Sequence, residues 1–423
     1  MLIKNISLLA GLNPGGLTRR RGSEMSELPS IAGAWLRIAP DGTVDSYGPM
    51  DSLPETSEAE ETTDAAGGIV IPAFCDSHSH IVYAGSRHGE FVDKIHGLSY
   101  EQIAANGGGI LNSADRLHET SEDDLFAQSL ERAREVMMKG TACLEIKSGY
   151  GLTLPDELKM LRVIARIAQV LPLTVRATFL GAHAVGRAYA GRQGEYVSHI
   201  INDMLPAVAA EGLADFVDVF CDRGFFTTDE TARIIEAAAR YGIRPKIHAN
   251  ELDFSGGVQT GVRHGALSTD HLERIGDEEI SLLAQSDTVA TMLPGASFFL
   301  GMPYGPARRA IDAGATVALA SDYNPGSSPS GDMRTVWALG CIKMKLTPEE
   351  ALNAVTINGA AAMDLGASHG SIAAGRKANL IITRPMQALA QIPYQYTTPW
   401  ISELIINGKR MMAVCPRAVD IAP

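Results

Sequence analysis

The 423-residue sequence predicts an α/β fold, a (β/α)8 TIM-like barrel, with a small composite β-sandwich domain formed by both chain ends. Three observations carry this prediction. Short apolar runs alternate with amphipathic helical stretches through the middle of the chain, which is the pattern of parallel strands linked by helices. Both ends of the chain show strand patterns instead. Polar residues follow most of the apolar runs, as expected at the carboxyl-end rim of a barrel.

Strand patterns at the two ends of the chain define the composite domain. Near the start, two alternating apolar and polar runs flank an Asp-Gly pair at 41–42, which is typical of a β-hairpin. Near the end, strands are predicted over 378–385 and 402–412, and the second bends at an Asn-Gly pair. The predicted domains are 1–66 plus 366–423 for the composite β domain, and 67–365 for the barrel.

The middle of the chain contains eight candidate strands, separated by helices. A capping box opens at Thr227 and predicts a helix that ends at Gly242. The alternative fold, a doubly wound sheet, would need a glycine-rich dinucleotide turn after the first strand, and none follows it. The eight strands are predicted at 68–80, 141–149, 173–183, 214–222, 244–251, 265–271, 288–294 and 316–322.

Composition excludes several classes of protein. The formal charge is −13, from 36 Lys and Arg against 49 Asp and Glu, which argues against nucleic acid or an anionic membrane surface as a partner. Five scattered cysteines without a Cys-x-x-Cys pair predict neither a disulfide framework nor a cysteine zinc site. The first arginines follow the short apolar run of the N-terminus, the wrong order for a signal peptide, so we expect a cytoplasmic protein.

Four residues at predicted strand ends form a candidate metal site. His78 and His80 are two apart on a strand, so both imidazoles point to one face. His248 and Asp322 end two other strands, and the strand ends of a barrel converge around its axis. Three imidazoles and a carboxylate suit a single zinc or iron ion and leave a position open for water.

A metal site of this kind still benefits from a general acid–base group. The sequence offers three candidates near the predicted ligands: Glu251, three residues beyond His248, His271 at the end of the next strand, and Asp322 itself. Each could take a proton from water and pass it to a leaving nitrogen. The sequence does not rank the three.

These residues, in this order, resemble the amidohydrolase superfamily. The motifs are PAFCDSHSH, HANE, TDH and ASD, and GSIAAGRKANLII resembles the segment in which such chains re-enter their β domain. No lysine at a strand end is placed as the carbamylated bridge of the binuclear members. The resemblance therefore implies one Zn²⁺ or Fe³⁺ per chain.

A finer resemblance is to the imidazolonepropionase family, most specifically in EIKSGYGL and SDYNPGSSPS. It implies hydrolysis of the cyclic amide of 4-imidazolone-5-propanoate to N-formimidoyl-L-glutamate, a step of histidine degradation. Small departures are Ala73, Ser77 and Asn250, where that family more often has Gly, Pro and Asp. Arg87 is expected to hold the propanoate carboxylate in a bidentate pair. The substrate-binding residues implied are Arg87, Tyr150, His183, Glu251, Asn324, Gly326 and Ser327.

Two other functions stay open at this level. A nucleobase-type deaminase would use the same metal and acid–base groups but release ammonia, and it would give Arg87 no carboxylate to bind. A non-catalytic metal-binding or scaffold protein is disfavoured because no ligand or base is missing from the pattern. A homodimer is expected to be possible, and the role of residues 11–30 is open.

Overall fold

The computed structural model describes residues 1–55, 60–98, 102 and 108–411. It contains two eight-stranded sheets, one of them a parallel barrel and the other built from both chain ends. The predicted fold class is therefore confirmed. The exact domain limits stay a prediction, and the part of the predicted composite domain over 412–423 lies outside the described residues.

The composite sheet has the strand order β16-β15-β14-β5-β1-β2-β3, with β4 beside β1. The predicted hairpin at 41–42 forms, because β2 pairs antiparallel with β3. The predicted strand at 402–412 turns at Asn407-Gly408 into two short strands, β15 and β16, which pair antiparallel. Its strands are β1 (Leu2–Ala10), β2 (Ser30–Ile38), β3 (Val44–Pro49), β4 (Thr62–Asp64), β5 (Gly68–Pro72), β14 (Leu380–Pro385), β15 (Ile401–Ile406) and β16 (Lys409–Arg410).

The barrel sheet runs in sequence order from β6 to β13, with every neighbouring pair parallel. Its inner and outer faces are largely buried, as expected for strands enclosed by helices. Its strands are β6 (Phe74–Asp76), β7 (Thr141–Lys147), β8 (Thr174–Ala182), β9 (Phe216–Cys221), β10 (Arg244–Ala249), β11 (Ser268–His271), β12 (Val289–Met292) and β13 (Val317–Leu319).

The helices of the described residues mostly follow barrel strands. The capping box at Thr227 forms as predicted, but its helix ends at Ala239, three residues before Gly242. No helix in the described part of the chain is long and apolar enough to cross a membrane. The α-helices are α1 (His88–Ile95), α2 (Ile110–Glu119), α3 (Glu122–Met138), α4 (Leu154–Val170), α5 (Gln193–His199), α6 (Leu205–Glu211), α7 (Thr228–Ala239), α8 (Gly257–Arg263), α9 (Asp277–Ala284), α10 (Pro294–Leu300), α11 (Ala307–Asp312), α12 (Met333–Ile342), α13 (Pro348–Val355), α14 (Ile357–Ala361) and α15 (Gln391–Tyr394).

The first predicted barrel strand, 68–80, is divided between the two sheets. Its first part is β5, which pairs with β1 and β14 of the composite sheet, and the chain enters the barrel as β6 only after Ala73. Hydrogen bonds to Asp76 then join the two ends of the barrel sheet: Ser321 donates from its backbone N–H at 3.0 Å and from its hydroxyl at 2.5 Å.

Residues 18–27, called here the amino-end segment, close the opposite end of the barrel. The side chain of Asn358 accepts from the backbone N–H of Arg20 at 2.8 Å and donates to the Arg20 carbonyl at 2.9 Å. The same amide donates to the carbonyl of Val317, the first residue of β13. This part of the segment 11–30, whose role the sequence left open, is thus packed on the amino-end rim.

Candidate active site

The four predicted metal-binding residues meet at the carboxyl-end rim of the barrel. The Nε2 atom of His80 lies 3.2 Å from Nε2 of His78 and 3.3 Å from Nε2 of His248. The Oδ1 atom of Asp322 lies 3.5 Å from Nε2 of His78 and 3.4 Å from Nε2 of His80. All four side chains are almost fully buried.

Carboxylates from inside the barrel fix the orientation of two of these rings. Nδ1 of His78 lies 2.6 Å from Oδ2 of Asp270, and Nδ1 of His248 lies 2.9 Å from Oδ2 of Asp218. A histidine that donates from Nδ1 to a carboxylate presents an unprotonated Nε2, which is the usual arrangement around a metal. Burial lowers the pKa of His248 to about 3, so this ring stays neutral.

The donor set fits a metal ion. The facing Nε2 atoms of His78 and His248 carry lone pairs, and they converge on His80, whose Nδ1 is buried without a hydrogen-bond partner among the described residues. Lone pairs that approach in this way repel one another unless a cation or a proton lies between them. Three imidazole nitrogens and one carboxylate oxygen are the ligands that zinc and iron sites use.

A fully buried lysine lies beneath this cluster. Nζ of Lys147 is 2.8 Å from Asp218, 2.7 Å from Glu145 and 3.7 Å from Asp270. Burial alone would lower the pKa of Lys147, but these carboxylates outweigh burial and raise it well above its usual value. The ammonium of Lys147 therefore faces both carboxylates that orient the histidines, and Nζ of the buried Lys246 lies 3.6 Å from Asp270 as well, so the buried negative charges are paired with cations.

The acid–base candidates form a second cluster beside the first. Nδ1 of His271 lies 3.6 Å from Glu251 and 3.6 Å from Glu273. Three backbone N–H groups of the loop 251–253 donate to Asp222, which holds Glu251 in place. The rings of His271 and His248 are 5.2 Å apart, so the cluster borders the metal-ligand set.

The environment separates the proton affinities of these groups. Burial raises the pKa of Glu251 to about 7 and that of Asp322 to about 6. Burial acts to lower the pKa of His271, but Glu251, Glu273 and Asp322 together raise it to about 10. A carboxyl group whose pKa is near neutrality can both accept and donate a proton at physiological pH, which is the requirement for a general acid–base residue.

A cavity of about 630 Å³ opens above both clusters. Its walls include the rings of His183 and Tyr150, whose centroids are 5.3 Å apart. The His183 ring stacks on His80 at 5.3 Å and donates from Nδ1 to the carbonyl of Gly149 at 2.9 Å. Its Nε2 is then an acceptor, and the two rings offer flat faces to a heterocycle.

The turn after β13 forms another wall of the cavity. The side-chain amide of Asn324 donates to Asp322 Oδ2 at 2.8 Å, and its oxygen accepts from the backbone N–H groups of Gly326 and Ser327, both at 2.8 Å. The Ser327 hydroxyl also donates to Asp322. The turn therefore fixes the Asp322 carboxylate, with Oδ1 directed at the imidazoles.

Arg87 lines the cavity, but its side chain is already engaged. Nε donates to Glu90 Oε2 at 2.8 Å and Nη2 donates to the same oxygen at 2.5 Å. The two side chains are 7% and 10% exposed. The Nε/Nη2 edge of the guanidinium, one of the two edges that can bind a carboxylate in a bidentate pair, is thus turned to Glu90, and among the described residues Nη1 makes no hydrogen bond. The expected bidentate clamp stays a prediction, with a competitor in place.

Strand ends around the site adopt a left-handed backbone at residues other than glycine. The φ angles are 57° at Asn250, 84° at His271, 68° at Leu272 and 52° at Asp322. Such conformations are uncommon for L-residues and concentrate where the surrounding structure holds a functional side chain in place. Two of the four residues belong to the clusters described above.

Several contributing residues were not singled out from the sequence. Asp218 and Glu145 are charged residues inside otherwise apolar strands, and Lys147 is the last residue of β7. These exceptions to the apolar pattern were a usable signal. Glu273 and Asp222 lie in loops, where a charged residue is unremarkable. Their contacts depend on how neighbouring loops meet, which the sequence pattern does not encode.

Comparison with known proteins places this architecture in a family. The amidohydrolase family model matches residues 69–411. The imidazolonepropionase of Flavobacterium johnsoniae is 51% identical over 96% of this chain and 99% of its own length, and that of Christiangramia forsetii is 50% identical over 97% and 99%. The solved structure of an atrazine chlorohydrolase from Arthrobacter aurescens complexed with zinc shares the fold, with a TM-score of 0.70 at 15% identity over 97% of this chain and 94% of that one.

The chain therefore belongs to the amidohydrolase family and is a hydrolase, and its buried His and Asp side chains could hold a metal ion. Within that family, its near-full-length identity groups it with the imidazolonepropionases rather than with the deaminases. The resemblance stated from the sequence motifs is confirmed.

Proposed function

We propose that this protein hydrolyses 4-imidazolone-5-propanoate to N-formimidoyl-L-glutamate, opening the cyclic amide at its carbon–nitrogen bond. The observation that carries the proposal is the identity of 50–51% to imidazolonepropionases over nearly the whole chain. The site is consistent with it, since a donor set for a metal, an acid–base pair and a cavity for a flat ring lie together. A nucleobase deaminase is the alternative, and the relatives at 50–51% identity named above are imidazolonepropionases instead.

One Zn²⁺ or Fe³⁺ would be held by His78, His80, His248 and Asp322. When bound, such an ion acts as a Lewis acid that makes water more acidic and polarises a carbonyl. The chain contributes ring orientation through Asp218 and Asp270, which keep two of the three imidazoles in the ligating tautomer.

Proton transfer is assigned to Glu251, with His271 beside it. Water adds its oxygen to the carbonyl carbon of the ring, the carbon–nitrogen bond breaks, and the ring nitrogen needs a proton to leave. Glu251 accepts the water proton and returns it to that nitrogen, while His271 stabilises the carboxylate in its ionised state. Asp322 is kept as a third candidate for the proton transfer, because its carboxylate also lies beside the imidazoles that would hold the metal.

The remaining predicted residues orient the substrate. Tyr150 and His183 provide ring faces against the imidazolone, and His183 Nε2 can accept its N–H. Asn324, Gly326 and Ser327 shape the wall beside Asp322. Arg87 offers Nη1 to the propanoate tail. A homodimer and a cytoplasmic location stay predictions.

Purified protein loaded in turn with zinc and with iron would test the proposal. We expect loss of the imidazolone propanoate absorbance and formation of N-formimidoyl-L-glutamate, without release of ammonia. Ammonia release from purine or pyrimidine bases, at a kcat/KM above that for imidazolone propanoate, would favour the deaminase. Metal content measured beside each rate would identify which ion supports turnover.

A further inference from the structure

The cationic side chains around the cavity do not have the roles that the sequence suggests. Among the described residues that line it, the lysine and arginine side chains are those of Arg87 and Lys94. Arg87 is paired with Glu90, whose other oxygen accepts from the backbone of Gly109 at 3.1 Å and from Asn112 at 3.3 Å. Arg87 and Glu90 therefore form a fixed pair that is neutral as a unit.

Lys94, on the same helix α1, is the cation without a matching carboxylate. Its half-buried Nζ donates to the carbonyl of Gly326 at 2.8 Å and lies 5.5 Å from the Phe299 ring centroid. Within the described part of the chain, no carboxylate lies within 4.0 Å of this nitrogen. A lysine ammonium has three donors, so two remain for a ligand in the cavity.

A short hydrogen-bonded path connects Lys94 with the metal-ligand set. Lys94 contacts the Gly326 carbonyl, the Gly326 N–H donates to Asn324, and Asn324 donates to the Asp322 carboxylate. Arg87 approaches Gly326 from another side: a Cβ atom built on this glycine would lie only 2.3 Å from Nη1 of Arg87. The free donors of both cations thus flank one turn, a few residues from the reacting centre.

We propose that Lys94 is the specificity-determining residue that binds the propanoate carboxylate, with Nη1 of Arg87 as its second donor. The inference rests on the proposed function, and it changes the part assigned to Arg87: Glu90 positions that side chain, and the net positive charge for the anionic tail comes from Lys94. A carboxylate between an ammonium and one guanidinium nitrogen replaces the bidentate arginine clamp.

The test compares Lys94→Met with wild type on two substrates, imidazolone propanoate and an imidazolone without the carboxylate tail. We expect kcat/KM for imidazolone propanoate, divided by kcat/KM for the substrate without the tail, to fall by roughly 10–150-fold. This is about 1.5–3 kcal/mol at 1.4 kcal/mol per decade. The change should lie mainly in KM for the propanoate substrate. Lys343→Met, which removes an exposed cation outside the cavity lining, is the matched control and should leave the ratio unchanged.

Metal content and thermal unfolding of each variant are measured beside the kinetics, and Lys94→Gln replaces Lys94→Met if the latter does not fold. An unchanged ratio in an active variant, or an equal loss on both substrates, would overturn the role of Lys94 while leaving the proposed function intact. Wild-type protein that turned over neither imidazolone would instead reject the proposed function, and this inference with it.

Discussion

The two rims of the barrel use polar side chains in opposite ways. On the amino-end rim, the side-chain amide of Asn358 forms hydrogen bonds with the backbone of Arg20 and Val317. On the carboxyl-end rim, His80 Nδ1 and His271 Nδ1 are buried without a hydrogen-bond partner among the described residues. Satisfied polar groups stabilise a fold, whereas buried unsatisfied ones cost free energy.

This difference between the rims indicates which residues stabilise the fold and which ones carry out the chemistry. The amino-end rim is closed by a segment whose backbone is hydrogen-bonded by the side chain of Asn358. The carboxyl-end rim brings imidazole nitrogens and a carboxylate oxygen close together, an arrangement that a bound cation would stabilise. Substitutions at the two rims should therefore separate activity from stability, and each of the following experiments tests that separation.

The largest effect is expected from His248→Ala. Removal of one of three imidazoles should reduce the metal content well below one equivalent per chain and lower kcat/KM by at least about 10³-fold, since a catalytic ion supplies several kcal/mol. Metal analysis and kinetics on the same preparation measure both. A variant with full metal content and full activity would remove His248 from the ligand set.

Glu251→Gln should keep the metal and the fold but lower kcat by about 10²–10⁴-fold, because the amide cannot carry the proton. If Glu251 and His271 act as one unit, the double variant with His271→Asn should be little slower than either single one. Losses that multiply would show that the two residues act independently.

Asp218→Asn tests the charges beneath the rim. The asparagine cannot balance Lys147 or hold the Nδ1 proton of His248 as strongly, so metal affinity should fall by about 10–100-fold. A competitive chelator titration measures the change, and Asp253→Asn on the nearby loop serves as a control. Unaltered affinity would mean that the carboxylate does not orient the ring.

Asn358→Ala tests the amino-end rim. It leaves the N–H and carbonyl of Arg20 and the carbonyl of Val317 without their partner, which should lower the free energy of unfolding by about 1–3 kcal/mol. Urea unfolding measures the loss, and kcat should be unchanged. A fall in kcat at full metal content would show that the two rims are coupled.

A small, pH-dependent effect is expected at His369, which contacts Thr174 at the start of β8. Burial, with help from Lys377 and Arg176, lowers its pKa from 6.5 to about 4. The unfolded chain therefore binds the proton first, and the stability that neutral His369 contributes is lost as the pH falls from above 6.5 toward 4. His369→Gln should reduce the loss of unfolding free energy between pH 7 and 5 by on the order of 1–2 kcal/mol. Equal pH dependence of both proteins would show that other groups cause it.

Most of the fold followed from the sequence because strand and helix periodicities are local. The eight runs, the hairpin at 41–42 and the bent strand at 402–412 are visible in short windows, and the structure has strands at each of them. The division of 68–80 between two sheets was missed, since an apolar run carries no mark of which sheet it joins. Its partners, β1 and β14, are remote in sequence.

The site followed only in part, for a related reason. His78, His80, His248 and Asp322 were found because each stands at a strand end, a position that topology alone brings together. Lys94 and Glu90 were missed because they lie on a helix beyond the first strand, where the pattern resembles a solvated surface. The contact of Lys94 with Gly326 and that of Glu90 with Arg87 depend on how the chain packs after β6 and β13.

The left-handed backbone at the strand ends limits which substitutions these positions can accept. Asparagine and aspartate tolerate positive φ better than other L-residues, so aspartate is the substitution that Asn250, at φ 57°, should accept most easily. At His271 and Asp322, a glycine would relax the backbone but remove the functional group, and an asparagine at 322 would keep the backbone but lose the ionised carboxylate. Ile247, in contrast, is a core residue that should accept aliphatic neighbours of similar volume. Mutational tolerance in this barrel should therefore be narrowest at a few bends of the main chain, and wider in the apolar interior that surrounds them.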